Sequence, residues 1–175
     1  MTAHPALLIK TMRAMIPAGI ELLKTRHHGD LHLGQILLVA NDFVFIDFEG
    51  EPARPLSERI ARHCPLRDVA GVVRSFSYAA ETARRKVRQE RPEALAAMTV
   101  YTREWEKLSR ARFLRGYLEA TAGCPSVPVN REHFDSILAL LCLEKALYEF
   151  SYELNNRPDW LEIPVCGLIE CFDHR

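Results

Sequence analysis

Two short apolar runs, Ile36 to Val39 and Phe43 to Ile46, flank Ala40-Asn41-Asp42. Short β-branched and aromatic runs around an Asn-Asp turn predict a hairpin. Everything after it reads as helix, so the chain is one small hairpin embedded in a helical body. The fold class is mainly α, of the α+β kind, and the core falls to the helices. Ahead of the hairpin, Pro5 to Leu23 predicts a helix with Leu8, Met12, Met15 and Ile16 on one side, broken at Pro17 and Gly19. Beyond it, Val69, Val72, Val73, Phe76 and Ala80 form an apolar stripe at helical spacing. Tyr101, Trp105, Leu108, Ala111, Leu114 and Leu118 form a second. After a loop from Gly123 to Pro128, a third helix from Arg131 to Asn156 is apolar on most sides between Ile137 and Phe150, which predicts a central, buried element. Pro158 and Pro164 punctuate the tail.

The 175 residues suffice for one domain whose core needs no covalent staples. Lys+Arg and Asp+Glu both number 23, which removes the bulk electrostatic case for nucleic acid or an anionic membrane surface. A local basic run, Arg84, Arg85, Lys86, Arg88 and Arg91, reads first as a solvated helix face and alternatively as a phosphate site. No apolar stretch approaches the roughly 20 residues of a membrane span, and the start lacks a basic, then apolar, leader. The 5 cysteines are scattered without a CxxC pair, so a reduced cytoplasm is expected, with neither disulfides nor zinc. The 8 glycines form neither GxGxxG nor a Walker loop.

The chemistry concentrates between Thr25 and Pro52. If Val39 opposes Phe43, Gln35 falls opposite Asp47, and an amide oxygen and a carboxylate meet at the open end of the hairpin. Asp30 hangs in the loop just before. Two hard oxygen ligands and a nearby carboxylate suit Mg²⁺ completed by phosphates. His27, His28 and His32 raise zinc as an alternative, without the helical register that zinc sites use.

These residues match a family. His28-Gly29-Asp30, Gln35 and Ile46-Asp47-Phe48 resemble the catalytic loop and metal-binding strand of protein-kinase-like and aminoglycoside phosphotransferases, with Gln35 where those carry Asn. The longer string from His28 to Gln35, with Asp47 to Pro52, Pro65 to Gly71, and Arg74-Ser75-Phe76, resembles bacterial maltokinases, which also form the C-terminal part of trehalose synthase fusions. The resemblance covers nearly the whole chain, 1–175, as a C-terminal kinase lobe: catalytic loop and hairpin at 25–52, helical substrate-binding body at 65–175.

The resemblance implies that Asp30 orients the attacking sugar hydroxyl while Gln35 and Asp47 hold Mg²⁺ on ATP. His28 would pack the catalytic loop. Asp68 reads locally as a helix N-cap, and by resemblance as a brace for the loop backbone. His32 is a candidate beside the substrate. Glu49 and Glu51 read as braces for Arg54 or Arg59. On the third helix, Lys145, Tyr148, Glu149, Tyr152 and Asn156 share a face that suits a sugar, whereas Leu143, Leu147, Phe150 and Leu154 read as core. Mixing Lys145 with Glu149 favours a neutral acceptor.

The expected activity is therefore ATP plus maltose giving maltose 1-phosphate. A related kinase acting on an aminoglycoside or choline-type acceptor, and a non-catalytic module attached to trehalose synthase, are the alternatives. The family also implies an N-terminal ATP-clamping lobe for which this chain has no pattern. That predicts weak ATP binding, little turnover, and an apolar strip prone to self-association.

Overall fold

The computed structural model describes residues 5–52 and 54–173. The elements are α1 (Pro5–Ala14), β1 (Ile36–Val39), β2 (Asp42–Phe45), α2 (Leu56–Arg59), α3 (Leu66–Glu90), α4 (Leu95–Ala120), α5 (Arg131–Asn156) and α6 (Glu162–Asp173). The fold is thus mainly helical with one two-stranded sheet, as the sequence predicts. No helix among the described residues is long and apolar enough to cross a membrane.

The centre is α3, with α4, α5 and α6 packed around it. Its stripe is buried as predicted: Val69, Val72, Val73, Phe76 and Ala80 all lie inside. Leu66, Val69, Ala70 and Val73 meet Val127, Phe134 and Leu138, and Phe113, Leu114, Tyr117 and Leu118 of α4 close over them. The predicted α4 stripe is only half right. Trp105, Leu114 and Leu118 face α3 or the core, whereas Tyr101, Leu108 and Ala111 are exposed. The packed face instead runs through Thr102, Trp105, Glu106, Arg110 and Phe113. Polar residues occupy it because α3 offers Ser77 to Arg110 and Arg84 to Thr102 as partners.

On α5 the expected faces are partly exchanged. Leu143 is buried, but Leu154 stands in solvent, and the inner line continues through Ala146, Glu149 and Glu153. Buried carboxylates there are compensated by arginines, which hydropathy does not register. The first helix also ends early, at Ala14, with Met15 buried and Ile16 exposed; Leu8's side chain lies outside the described residues. Pro164 lies in the first turn of α6, where its missing N–H is tolerated, so it starts a helix rather than breaking one.

The hairpin differs from expectation by one residue. Val39 pairs with Asp42 and Ile36 with Phe45. The loop is two residues, Ala40 and Asn41, both left-handed at φ 48° and 67°. Such turns match the twist of the flanking strands. A one-residue slip exchanges faces, and only a buried face specifies register strongly. Here Leu37, Leu38, Val39, Phe43, Val44 and Phe45 are all exposed, so alternation carries no signal.

Candidate active site

Residues 25–35 form a loop whose backbone is held by α3. An antiparallel bridge between Thr25 and His63 pins its start, and the His27 and His63 rings meet edge-on at 4.9 Å. The backbone N–H groups of His28 and Gly29 donate to the two carboxylate oxygens of Asp68, at 2.6 and 3.0 Å. Two turns along α3, Ser75 Oγ accepts the N–H of Leu33 at 3.1 Å. Between them, Gly71 lets the Leu31 carbonyl oxygen press onto the helix where any side chain would collide. Asp68, Gly71 and Ser75 recur at three and four residues, so one face of α3 carries the loop. Asp68 is not the N-cap, a position held by Pro65; it lies in the first turn and spends its carboxylate on the loop.

His28 is buried and joins the loop to the strand end. Its Nε2 donates to the Ile46 carbonyl at 2.7 Å, and its Nδ1 accepts the Asp30 N–H at 3.4 Å. A carbonyl can only accept and an N–H only donate, so the ring carries its proton on Nε2. One imidazole thereby sets Asp30 relative to Asp47, which follows Ile46. Phe48 packs against the same ring at 4.8 Å.

Gln35 and Asp47 do meet, though not as a strand pair. Gln35 ends a 3-10 turn, Leu33–Gln35, and Asp47 is left-handed at φ 65°. Gln35 Nε2 donates to Asp47 Oδ2 at 2.8 Å. That leaves one carboxylate oxygen and the amide oxygen as hard donors, a set that fits Mg²⁺ held by few protein groups. Among the described residues no group of three or more His, Cys, Asp or Glu is arranged for a metal, so the zinc alternative has no geometry. His32 caps the 3-10 turn, its Nδ1 accepting the Gly34 N–H at 3.0 Å, and its ring lines the adjoining pocket.

That pocket holds about 680 Å³ and opens beside Asp30. Its walls include Asp30, Glu51, Tyr78, Lys145, Tyr148 and Tyr152, with Glu149, Glu153 and Arg157 further along. Of the predicted sugar face, Lys145, Tyr148, Glu149 and Tyr152 line it. Asn156 does not; its amide bonds the Tyr152 carbonyl within α5. Lys145 pairs with Asp30 at 3.2 Å and lies 3.9 Å from Glu51. Glu149 is not its partner. The Glu149 carboxylate is buried against Arg74 at 2.7 Å, and Gly167 of α6 clears the space for that guanidinium. Burial pushes the Glu149 carboxyl above the usual carboxylate range, against the pull of Arg74 and Lys145.

Glu153 receives Arg157 at 2.7 Å and the Tyr78 hydroxyl at 3.1 Å. Burial, then Glu51, pushes the Tyr148 hydroxyl well up, so it stays protonated and able to donate. Sequence reading assigns no role in the site to Gly71, Ser75, Tyr78, Glu153 or Arg157, and to Glu51 only that of a brace. The helical spacing of Asp68, Gly71 and Ser75 was the available signal for the loop-bearing face. Glu51 followed Asp47 too closely to look like a pocket residue, and of the two suspected braces only Glu49 approaches Arg59, at 3.9 Å.

No family model matches the chain. A glucosamine kinase of Mycolicibacterium smegmatis is 32% identical over 158 residues, 89% of this chain and 36% of that protein. One from Streptacidiphilus jiangxiensis is 25% identical over 158 residues, 90% of this chain and 33% of that protein. A solved glucosamine kinase superposes with a TM-score of 0.76 at 26% identity, covering 97% of this chain and 40% of the other. Another, in complex with glucosamine, ADP and inorganic phosphate, has a TM-score of 0.67 at 28% identity, over 85% of this chain and 35% of that one.

The chain resembles glucosamine kinases. It spans about a third of the length of the curated relatives it matches. The maltokinase resemblance is overturned by these relatives, and with it maltose as acceptor, a trehalose synthase partner, and a lobe defined by what it lacks from that family. Nor do glucosamine kinases support the expected inactivity of the chain. The error has a physical source: the catalytic-loop string reports phosphoryl transfer, which many acceptors share, whereas acceptor identity rests on scattered pocket residues.

Proposed function

We propose that this chain carries the acceptor side of an ATP-dependent sugar kinase acting on an aminosugar, glucosamine in the first instance. The observation that carries the reading is the charge of the pocket beside Asp30. Four carboxylates, Asp30, Glu51, Glu149 and Glu153, meet three cations, Lys145, Arg157 and, behind the wall, Arg74. One negative charge is left over, which a substrate ammonium neutralises and a neutral sugar does not. This reverses the inference from Lys145 and Glu149 read as a mixed pair. Tyr78, Tyr148 and Tyr152 supply aromatic faces for the pyranose.

The sugar hydroxyl attacks the γ-phosphorus, the bond to the bridging oxygen breaks, and ADP leaves. Asp30 accepts the hydroxyl's hydrogen bond and takes its proton, while Lys145 keeps the carboxylate aimed. Asp47 and the Gln35 amide oxygen are the residues to hold Mg²⁺, which when bound supplies charge neutralisation at the phosphates. The remaining work is positioning, done by the α3 face and His28.

Phosphoryl transfer from Mg-ATP, followed by phosphorus NMR with glucosamine, glucose and maltose, tests the reading alongside calorimetric titration of each sugar. Glucosamine should bind about tenfold or more tighter than glucose, as one charge-assisted hydrogen bond implies. Asp30→Asn should lower turnover by roughly 10²–10⁴-fold, and by removing the surplus negative charge should also narrow the preference for glucosamine over glucose. Equal binding of glucose and glucosamine would sink the aminosugar assignment.

A further inference from the structure

The basic run on α3 is a solvated face only in part: Lys86, Arg88 and Arg91 are exposed, whereas Arg84 and Arg85 turn inward. Glu81 is buried at 2% exposure and takes Arg84 at 2.8 Å and Arg85 at 3.0 Å. Arg84 also reaches Thr102 on α4. Turning these arginines inward defines the floor of a second concavity. Both α4 and α6 lie on α3 but splay apart, leaving a groove of about 880 Å³ between them. Residues of α3 at 77, 81, 84 and 88 line it, whereas those at 71, 75, 78 and 82 line the acceptor pocket. The two concavities therefore lie on different sides of one helix, about 10 Å apart.

The two walls of the groove differ in kind. Arg88, Arg103 and Lys107 stand on the α3 and α4 side, and Ile163, Cys166 and Ile169, flanked by Glu162 and Glu170, on the α6 side. Most of the carboxylates in the groove are already engaged. Glu81 holds Arg84 and Arg85, Glu106 receives Ser77 Oγ at 2.7 Å and Arg110, and Glu170 receives Arg110 at 3.1 Å. Arg103 and Lys107, one turn apart on α4, have no carboxylate within 4.0 Å among the described residues. Arg88 comes no nearer than 3.8 Å to the saturated Glu81. Glu162, on the α6 side, is the one carboxylate of the lining with no cation within 4.0 Å among the described residues, so three cations face the concavity against a single free carboxylate.

We propose that this groove binds a small phosphate monoester, its dianion gripped by Arg103, Lys107 and Arg88 and its organic body laid on Ile163, Cys166 and Ile169. Guanidinium forks match phosphate oxygens bidentately, and an ammonium adds a mobile donor. Low-dielectric walls strengthen both over an open surface. The volume lies within the range of small-molecule sites. The site stands apart from the acceptor pocket and does not depend on what that pocket accepts.

Glucose 6-phosphate is the probe, because it carries the dianion without an ammonium. Calorimetric titration of the full chain should give a dissociation constant of about 1 mM or lower. The pair Arg103→Gln with Lys107→Gln, both on the exposed side of a helix, should weaken it about tenfold or more. Asp30→Asn should leave it unchanged, which separates the groove from the acceptor site. Bound probe should slow alkylation of Cys166, read by mass spectrometry, with no slowing at Cys124 in the loop after α4. Binding insensitive to the Arg103 and Lys107 pair, or Cys166 modified at the same rate throughout, would overturn the site. Inorganic phosphate binding as tightly as the ester would overturn the role of the apolar wall.

Discussion

The catalytic loop and the hairpin after it are adjacent in sequence and opposite in how they are held. From His28 to Leu33 the loop backbone is tied to α3 through Asp68, Gly71 and Ser75, and His28 anchors it to Ile46. From Ile36 to Phe45 the described ladder bonds run between the two strands, and both faces meet solvent. Placement of the Asp30 carboxylate is thus a property of helix α3, not of the two-stranded sheet. The hairpin's contribution is its end, where Ile46 accepts His28 and Asp47 turns left-handed toward Gln35.

Breaking the clamp should cost most. Asp68→Ala leaves two backbone donors without their charged acceptor and should lower stability by about 2–3 kcal/mol, measured by urea unfolding, with turnover falling alongside. Asp68→Asn, which can accept one of the two bonds, should recover part of that. Gly71→Ala pushes a methyl into the Leu31 carbonyl and should cost roughly 1–3 kcal/mol, with glucosamine affinity disturbed because the loop must shift. If Gly71→Ala leaves both untouched, α3 is not the ruler for the loop.

Smaller still is the response to pH at the loop's entry. His27 and His63 are both held below the ordinary value of 6.5, chiefly by burial. Below that value the unfolded chain takes up protons that the folded chain refuses. Stability is then fully present above about pH 6.5 and is lost as pH falls through the lower folded values. Thermal midpoints between neutral pH and pH 5 should show the decline, and His63→Gln should flatten it.

The hairpin should respond least. Ala40→Gly relieves a left-handed alanine and should gain about 0.5–1 kcal/mol. Leu38→Ser, at 69% exposure, should stay within about 0.5 kcal/mol. A large loss at Leu38 would show that the hairpin is held by something beyond its own ladder, and would erase the contrast with the loop.

Read alone, the chain revealed its helical body, the α3 core stripe and the meeting of Gln35 with Asp47, because each rests on local periodicity or a short contiguous string. The hairpin's existence was legible but its register was not, since no buried face marks which residues alternate inward. The long polar stripe of α5 was legible as a surface but misread as to its partners. Lys145 to Glu149 is the natural pairing along a helix, yet Lys145 turns to Asp30 and Glu51 while Glu149 meets Arg74.

The pairing of charges carries the proposed acceptor. Sequence by itself marked Asp30, Gln35 and Asp47 as a candidate phosphoryl-transfer site, because that chemistry needs few residues at fixed short spacing. Only the tertiary structure decided which carboxylates share a pocket, which are neutralised and which are left over. Those facts depend on contacts between residues such as Arg74 and Glu149, 75 positions apart, and separation of that order leaves no pattern along the chain.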